Sequence, residues 1–186
     1  MKEEAEQWIA KAENEQHKAL VRVQWLFGKR PIETVGFTRD NFDIEGDILR
    51  LHFLGAKRRK SKGILGINQK LITNEISISQ DPFARELADY ILTIPKGERL
   101  FRFRSPDRIK TIFYELTACG KCPNCLIGKK CPLALRPYFT RHNRKTQLGN
   151  AAGSGKDLAD WDGVTLQAVQ PYLIREPVTK FKGKIE

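Results

Sequence analysis

Alternation of apolar and polar residues at a two-residue period is confined to short stretches of this chain, which limits it to a small sheet carried on a helical body. Asp47–Leu54, with Ile48, Leu49, Leu51 and Phe53, reads as a strand after a turn at Glu45 and Gly46, and Glu75–Ile78 reads as a second. Between them lie a basic loop and a Gly-rich connection, so the pair is expected as an antiparallel hairpin with a long cationic tip. The rest is helical. Lys2–Phe27 makes two pieces, with Trp8, Ile9 and Ala12 on one stripe and Ala19, Leu20, Val23, Leu26 and Phe27 on the next. Gly28 ends the second piece and Pro31 opens a short helix carrying Glu33, which puts Arg30 at the junction. Asp81 before Pro82 predicts a helix to about Leu92, and Ser105 before Pro106 one to about Thr117. A helix from about Leu133 is expected to carry Arg136, Gly149–Gly155 reads as a loop, and two last helical pieces hold Trp161 and Tyr172. The fold class is α+β, mostly helical with a small antiparallel sheet. With 186 residues and no internal repeat, a single domain over 1–186 is expected.

Charge points to a polyanion. Lys and Arg total 33 against 22 Asp and Glu, a formal net charge of +11, and such an excess gives salt-dependent affinity for nucleic acid. The excess is clustered: Gly55–Gly63, GAKRRKSKG, holds Lys57, Arg58, Arg59, Lys60 and Lys62 with no acid among them. A loop of that kind repels itself unless a phosphate is near. No apolar run approaches the roughly 20 residues of a membrane span and no charged-then-apolar segment opens the chain, so a cytoplasmic protein that does not engage a membrane is expected.

The cysteines form a second constellation. Cys119, Cys122, Cys125 and Cys131 are separated by two, two and five residues, close enough for four thiolates to converge on one ion and unlike a disulfide framework that staples distant segments. Structural Zn2+ is the first expectation, because tetrahedral thiolate sites fit short loops. An iron–sulfur cluster is the rival, since three cysteines at three-residue steps ending in Cys-Pro approach a ferredoxin-type run.

Leu26–Leu51, LFGKRPIETVGFTRDNFDIEGDILRL, resembles the first active-site box of the tyrosine recombinases, the phage-type integrase family. Arg30 matches its first catalytic arginine by position and Glu33 the acid that holds the pocket together. Ala134–His142, ALRPYFTRH, is similar to the second box, with Arg136 and Phe139 as arginine and aromatic. Val169–Leu173, VQPYL, resembles the end of the third, which makes Tyr172 the nucleophile, and Ala56–Lys60, AKRRK, resembles the hairpin that delivers the catalytic lysine, Lys57. Two departures stand out. The family carries a histidine three residues before the second arginine, where this chain has Leu133, and its third box has His or Trp about nine residues before the tyrosine, where Trp161 lies eleven before Tyr172.

The resemblance implies the recombinase catalytic fold and cleavage and rejoining of double-stranded DNA through a 3′-phosphotyrosine, with no cofactor for catalysis. Arg30 and Arg136 would fork onto nonbridging phosphate oxygens, Lys57 would protonate the 5′ leaving oxygen, and Trp161 would pack on the phosphate and donate its indole N–H. Arg58, Arg59, Lys60 and Lys62 would contact DNA. The cysteine segment, about 119–131, would be an insertion, and the tail 174–186 an element that docks on a neighbour in a tetramer assembled on DNA. The separate N-terminal core-binding domain of the family would be absent, supplied by another protein or missing because the chain is a fragment. A prokaryotic, archaeal, viral or mobile-element origin would follow. Two alternatives share these features: a noncatalytic DNA-binding accessory protein derived from a recombinase, and a type IB topoisomerase-like activity.

Overall fold

Helix α1 (Lys2–Lys11) leads into α2 (Glu15–Phe27), whose first turn is fixed by Asn14: its side-chain oxygen accepts the His17 N–H at 2.9 Å. The computed structural model describes residues 2–55, 70–151, 154–162 and 166–173. By their contacts they fall into two compact units, Met1–Phe53 with Thr73–Arg144, and Leu54–Ile72 with Lys145–Glu186.

The first unit is built around α2. Every residue from Ala19 to Phe27 is buried, so the helix is a core element rather than an amphipathic one. Gly28 ends it in the left-handed conformation, φ 59°, returning its N–H to the Gln24 carbonyl. α3 (Pro31–Thr34) follows, then β1 (Phe42–Glu45), β2 (Ile48–Gly55) and β3 (Lys70–Ser77), hydrogen-bonded in the order β1-β2-β3 as one small antiparallel sheet. β1 pairs β2 with Phe42 opposite Leu51 and Glu45 opposite Ile48. The sheet's buried face, Phe42, Leu49, Leu51 and Phe53, meets Phe27 and Phe37 through edge-to-face rings with centroids 6.2 and 5.8 Å apart. Each such fully buried side chain contributes roughly 1.5–3 kcal/mol.

α4 (Pro82–Leu92) and α5 (Pro106–Thr117) complete the core. Both begin where a cap precedes proline: Asp81 accepts from the Phe83 N–H and Ser105 from the Asp107 N–H. α4 packs on α2, with Phe83 against Trp25, and α5 on α1, with Phe113 against Trp8. A short turn, α6 (Pro123–Leu126), lies inside the cysteine segment, and α7 (Pro137–Ala151) follows it.

Several elements differ from the sequence reading. β1 is an added strand, where only a turn was expected. β3 begins at Lys70, earlier than Glu75; the buried Asn74 interrupts the apolar alternation that would mark its first half. α7 begins at Pro137, so Arg136 precedes the helix; the residue before a proline is pushed out of the helical region, and Arg136 instead caps, its carbonyl accepting the Phe139 N–H at 2.8 Å. The helix also runs on to Ala151, into the segment expected as loop.

The second unit holds α8 (Gly155–Asp162), α9 (Leu166–Val169) and a 3-10 turn Gln170–Tyr172. Leu158, Ala159 and Val169 form its core, with Leu148 and Leu173 packed on them. Lys145 and Asp162 make a buried ion pair at 2.6 Å in this unit.

Candidate active site

Arg30 sits where α2 stops and α3 starts, with φ −69° and ψ 147° at the cap position of α3. Glu33 grips it twice: one carboxylate oxygen accepts the Arg30 backbone N–H at 2.8 Å and the other accepts from Nη1 at 2.7 Å. The Thr34 hydroxyl donates to the Arg30 carbonyl, and Gln24, fully buried on α2, donates its amide to that hydroxyl at 2.6 Å. Backbone and side chain of Arg30 are therefore both fixed by neighbours on α2 and α3, the preorganisation that an anion clamp requires.

α7 is seated against the same junction. Arg141, itself buried, donates from Nη1 to the Gly28 carbonyl at 2.8 Å. One turn further, Arg144 packs so closely that a β-carbon built on Gly28 would lie 3.1 Å from the Arg144 Cβ and 3.6 Å from the Arg141 Cα. Burial pulls the Arg144 pKa below the ordinary arginine value, and the Asp81 carboxylate opposes that shift. Between Gly28 and Arg30, Lys29 is buried with its ammonium 3.9 Å from the Phe53 ring centroid. Three guanidinium-bearing residues, Arg30, Arg141 and Arg144, thus belong to one packed junction of the first unit.

Arg136 has other surroundings. It is exposed and stands beside Tyr114, whose hydroxyl is acted on by the Lys130 ammonium and, more weakly, by the Arg136 guanidinium; together with burial that opposes them, these cations leave the phenol below its ordinary pKa. The sequence reading missed Arg141 and Arg144, although the RHNR run, with arginines one helical turn apart, was the available signal. Trp161 is half-buried on α8 in the second unit. Tyr172 ends the 3-10 turn, and its side chain lies outside the described residues. Lys57, Arg58, Arg59, Lys60 and Lys62 also lie outside them, in the segment joining β2 to β3.

The four cysteines converge. The Sγ–Sγ separations are 3.9 Å for Cys119 and Cys125, 3.4 Å for Cys122 and Cys125, 3.8 Å for Cys122 and Cys131 and 3.7 Å for Cys119 and Cys131. None is a disulfide, and all four sulfurs lie within 4.8 Å of one another. Four ligands at about 2.3 Å from a tetrahedral ion stand about 3.8 Å apart, so the donor set fits one metal ion, whereas a multi-iron cluster would spread it wider. The loop supplies N–H groups to the sulfurs: the backbone of Lys121 and Cys122 pulls the Cys119 pKa down to about 6, while a hydrogen bond from Cys122 pushes Cys125 up to about 12. The exit of the loop is tied to α5 by the Leu135 N–H, which donates to Thr117 Oγ1 at 2.8 Å.

A helical domain whose small sheet flanks a junction of clustered arginines is the architecture of the tyrosine recombinase catalytic fold, and the likeness to solved structures shows that fold. XerA recombinase matches with a TM-score of 0.60 at 19% identity, over 100% of this chain and 65% of that one. XerH site-specific recombinase bound to its difH substrate gives 0.60 at 12%, over 97% and 51%, and the Tn1549 transposon integrase in complex with circular intermediate DNA gives 0.59 at 17%, over 97% and 62%. The chain therefore spans about half to two thirds of the length of these proteins. No family model and no curated protein matches it. Among the described residues no helix is long and apolar enough to cross a membrane.

Proposed function

We propose that this chain is the catalytic part of a site-specific DNA recombinase or integrase, cutting and rejoining double-stranded DNA through a 3′-phosphotyrosine. The observation that carries the reading is the seating of the α7 arginines against Gly28, two residues before the doubly held Arg30. Arg30 and Arg144 bind the nonbridging oxygens of the scissile phosphate, and Arg141, tied to the Gly28 carbonyl, positions α7. In this assignment the residue three positions before the second arginine is Arg141, where relatives of this fold carry histidine. A guanidinium donates to a phosphate but does not shuttle a proton at neutral pH, so the proton has to be handled by other groups.

The Tyr172 oxygen attacks phosphorus, giving up its proton, and the bond to the 5′ oxygen breaks. Lys57 protonates that leaving oxygen, and Trp161 packs on the phosphate. Charge gathering on the phosphorus oxygens is met by the two guanidinium forks. The product keeps the energy of the broken bond in the phosphotyrosine ester, so rejoining is the reverse attack by a 5′ hydroxyl and needs no nucleotide. The basic 57–62 segment tracks the DNA backbone, and a tetramer forms on DNA, with the tail as its docking element.

Zn2+ fills the four-cysteine site, as the single-ion spacing favours, and there it ties the end of α5 to the lead-in of α7. Its part is structural: the ion holds the loop that places α7, and no step of the transfer passes through it. A noncatalytic DNA-binding accessory protein is the second reading, favoured by Arg141 standing in place of an acid/base group. A nicked suicide duplex separates the two. Recombinase activity predicts a covalent protein–DNA adduct with wild type and none with Tyr172→Phe, and firm DNA binding without any adduct would assign the accessory role. Relaxation of supercoiled plasmid without strand exchange between duplexes would assign the topoisomerase-like one.

A further inference from the structure

We propose that Lys130, Tyr114 and Arg136 form a second clamp for a backbone phosphate of double-stranded DNA, held in place by the cysteine loop; the proposal rests on the reading that this chain binds DNA. The three groups come from three segments of the first unit: Tyr114 from α5, Lys130 from the end of the cysteine loop, and Arg136 from the residue before α7. The Lys130 ammonium stands 4.1 Å from the Tyr114 ring centroid, and Lys130 and, more weakly, Arg136 hold the phenol below its ordinary pKa. Both cations are exposed, and Tyr114 is half-buried.

An ammonium, a guanidinium and a phenol hydroxyl are all donors, and two of them carry positive charge, which is the chemistry of a phosphate diester site. The nearest carboxylate in sequence, Glu115, pairs with Arg108 at 3.6 Å, no Asp or Glu follows it before Asp157, and Lys121 and Lys129 add exposed positive charge to the same loop. Lys110, on α5, is excluded from the clamp because Asp107 already binds its ammonium at 2.6 Å.

The cations are held on short tethers. Lys130 immediately precedes Cys131, and its carbonyl accepts from Asn124 Nδ2 at 3.2 Å inside the loop. Arg136 follows Leu135, whose N–H is bound by Thr117. With its position fixed by the metal loop on one side and by α5 on the other, the pair loses little side-chain freedom on meeting a phosphate. The clamp thereby gives the cysteine loop a task at the DNA as well as in the fold, and it gives Arg136 a binding task in place of a cleaving one.

The test is the salt dependence of duplex binding, followed by fluorescence anisotropy of a labelled oligonucleotide, for wild type, K130Q, R136Q and the double variant. Each lost phosphate contact lowers the slope of log K against log salt by about 0.9, so the double variant is expected to lose about 1.8, and R136K to recover the wild-type slope. One equivalent of bound metal in K130Q certifies an intact loop, and R136Q, outside the loop, tests the clamp without disturbing it. A wild-type slope in R136Q and in metal-replete K130Q overturns the clamp alone and assigns this face to an acidic protein partner. Wild type that binds no duplex even at low salt overturns the DNA reading, and the clamp with it. Loss of covalent adduct in K130Q at saturating DNA also overturns the proposal, because it would place the group in the cleaving pocket.

Discussion

Gly28→Ala tests the seating on which the proposed active site depends. Two costs are expected. Gly28 has φ 59°, where a β-carbon is strained, and this costs about 1–2 kcal/mol. The added carbon would also stand 3.1 Å from the Arg144 Cβ and 3.6 Å from the Arg141 Cα. The second distance is ordinary contact, but the first is tight and the Arg144 Cβ is fixed to the helix backbone, so relief requires a shift of α7 by a few tenths of an ångström, an overpacking cost of about 1–3 kcal/mol. Gly46 supplies the control. It has φ 55° in the β1–β2 turn, and a β-carbon there meets nothing within 4 Å, so Gly46→Ala carries the strain of about 1–2 kcal/mol without the contact. Urea unfolding with linear extrapolation is expected to show Gly28→Ala roughly 1–3 kcal/mol more destabilising than Gly46→Ala. Displacement of α7 should also slow adduct formation on the suicide duplex, on the order of tenfold or more, because clamp geometry is sensitive to sub-ångström shifts. Equal destabilisation by the two substitutions would mean that α7 does not press on the Arg30 junction, and the assignment of Arg144 would fall with it.

Arg30→Ala and Arg144→Ala are each expected to slow adduct formation roughly 10²–10³-fold at saturating DNA, with wild-type rates in the Arg144 variant refuting its role. Lys145→Ala leaves Asp162 buried without its 2.6 Å partner and should cost about 3–5 kcal/mol, while a Lys145→Met, Asp162→Leu pair stays near neutral; thermal unfolding followed by circular dichroism checks both. One Zn2+ per chain is expected by elemental analysis, with Co2+ substitution giving the spectrum of a tetrahedral thiolate site, and Cys122→Ser should abolish stoichiometric binding. Metal binding must displace thiol protons, Cys125 among them with its pKa near 12. Apparent metal affinity should therefore rise with pH between about 6 and 8, and a pH-independent affinity measured by chelator competition would count against thiolate ligation.

The parts of the fold legible in the sequence are those with a local physical signature. Asp81-Pro82 and Ser105-Pro106 predicted where α4 and α5 begin, because a capping oxygen and a proline of fixed φ act on their own neighbours without tertiary help. Gly28 was equally legible as a helix stop, and the cysteine spacing foretold a cluster of sulfurs. β1 was hidden because a strand of four residues carries too few alternations, and the early start of β3 was hidden by Asn74, a buried amide at a position where an apolar residue was expected. Both failures arise from tertiary pairing, which sequence periodicity does not encode.

The α7 arginines were hidden for a deeper reason. The helix has the composition of a solvated surface element, with Arg141, His142, Arg144 and Lys145 in succession around Asn143, yet Arg141 and Lys145 are buried, and burial lowers the pKa of Arg144. An apolar pattern announces burial because burial is favourable, whereas cations are taken out of water at a cost that only specific partners offset. Two of those partners are visible: the Gly28 carbonyl for Arg141 and Asp162 for Lys145. The carbonyl is present because Gly28 ends α2 in a left-handed turn, so the residue that terminates one helix also anchors another far along the chain. Sequence reading placed the second phosphate clamp at Arg136, next to the proline that starts α7, since that arginine lies in a recognisable motif. The proposed function puts it at Arg144 instead, two turns into the helix, because Gly28, two residues before Arg30, leaves room for the α7 backbone to approach.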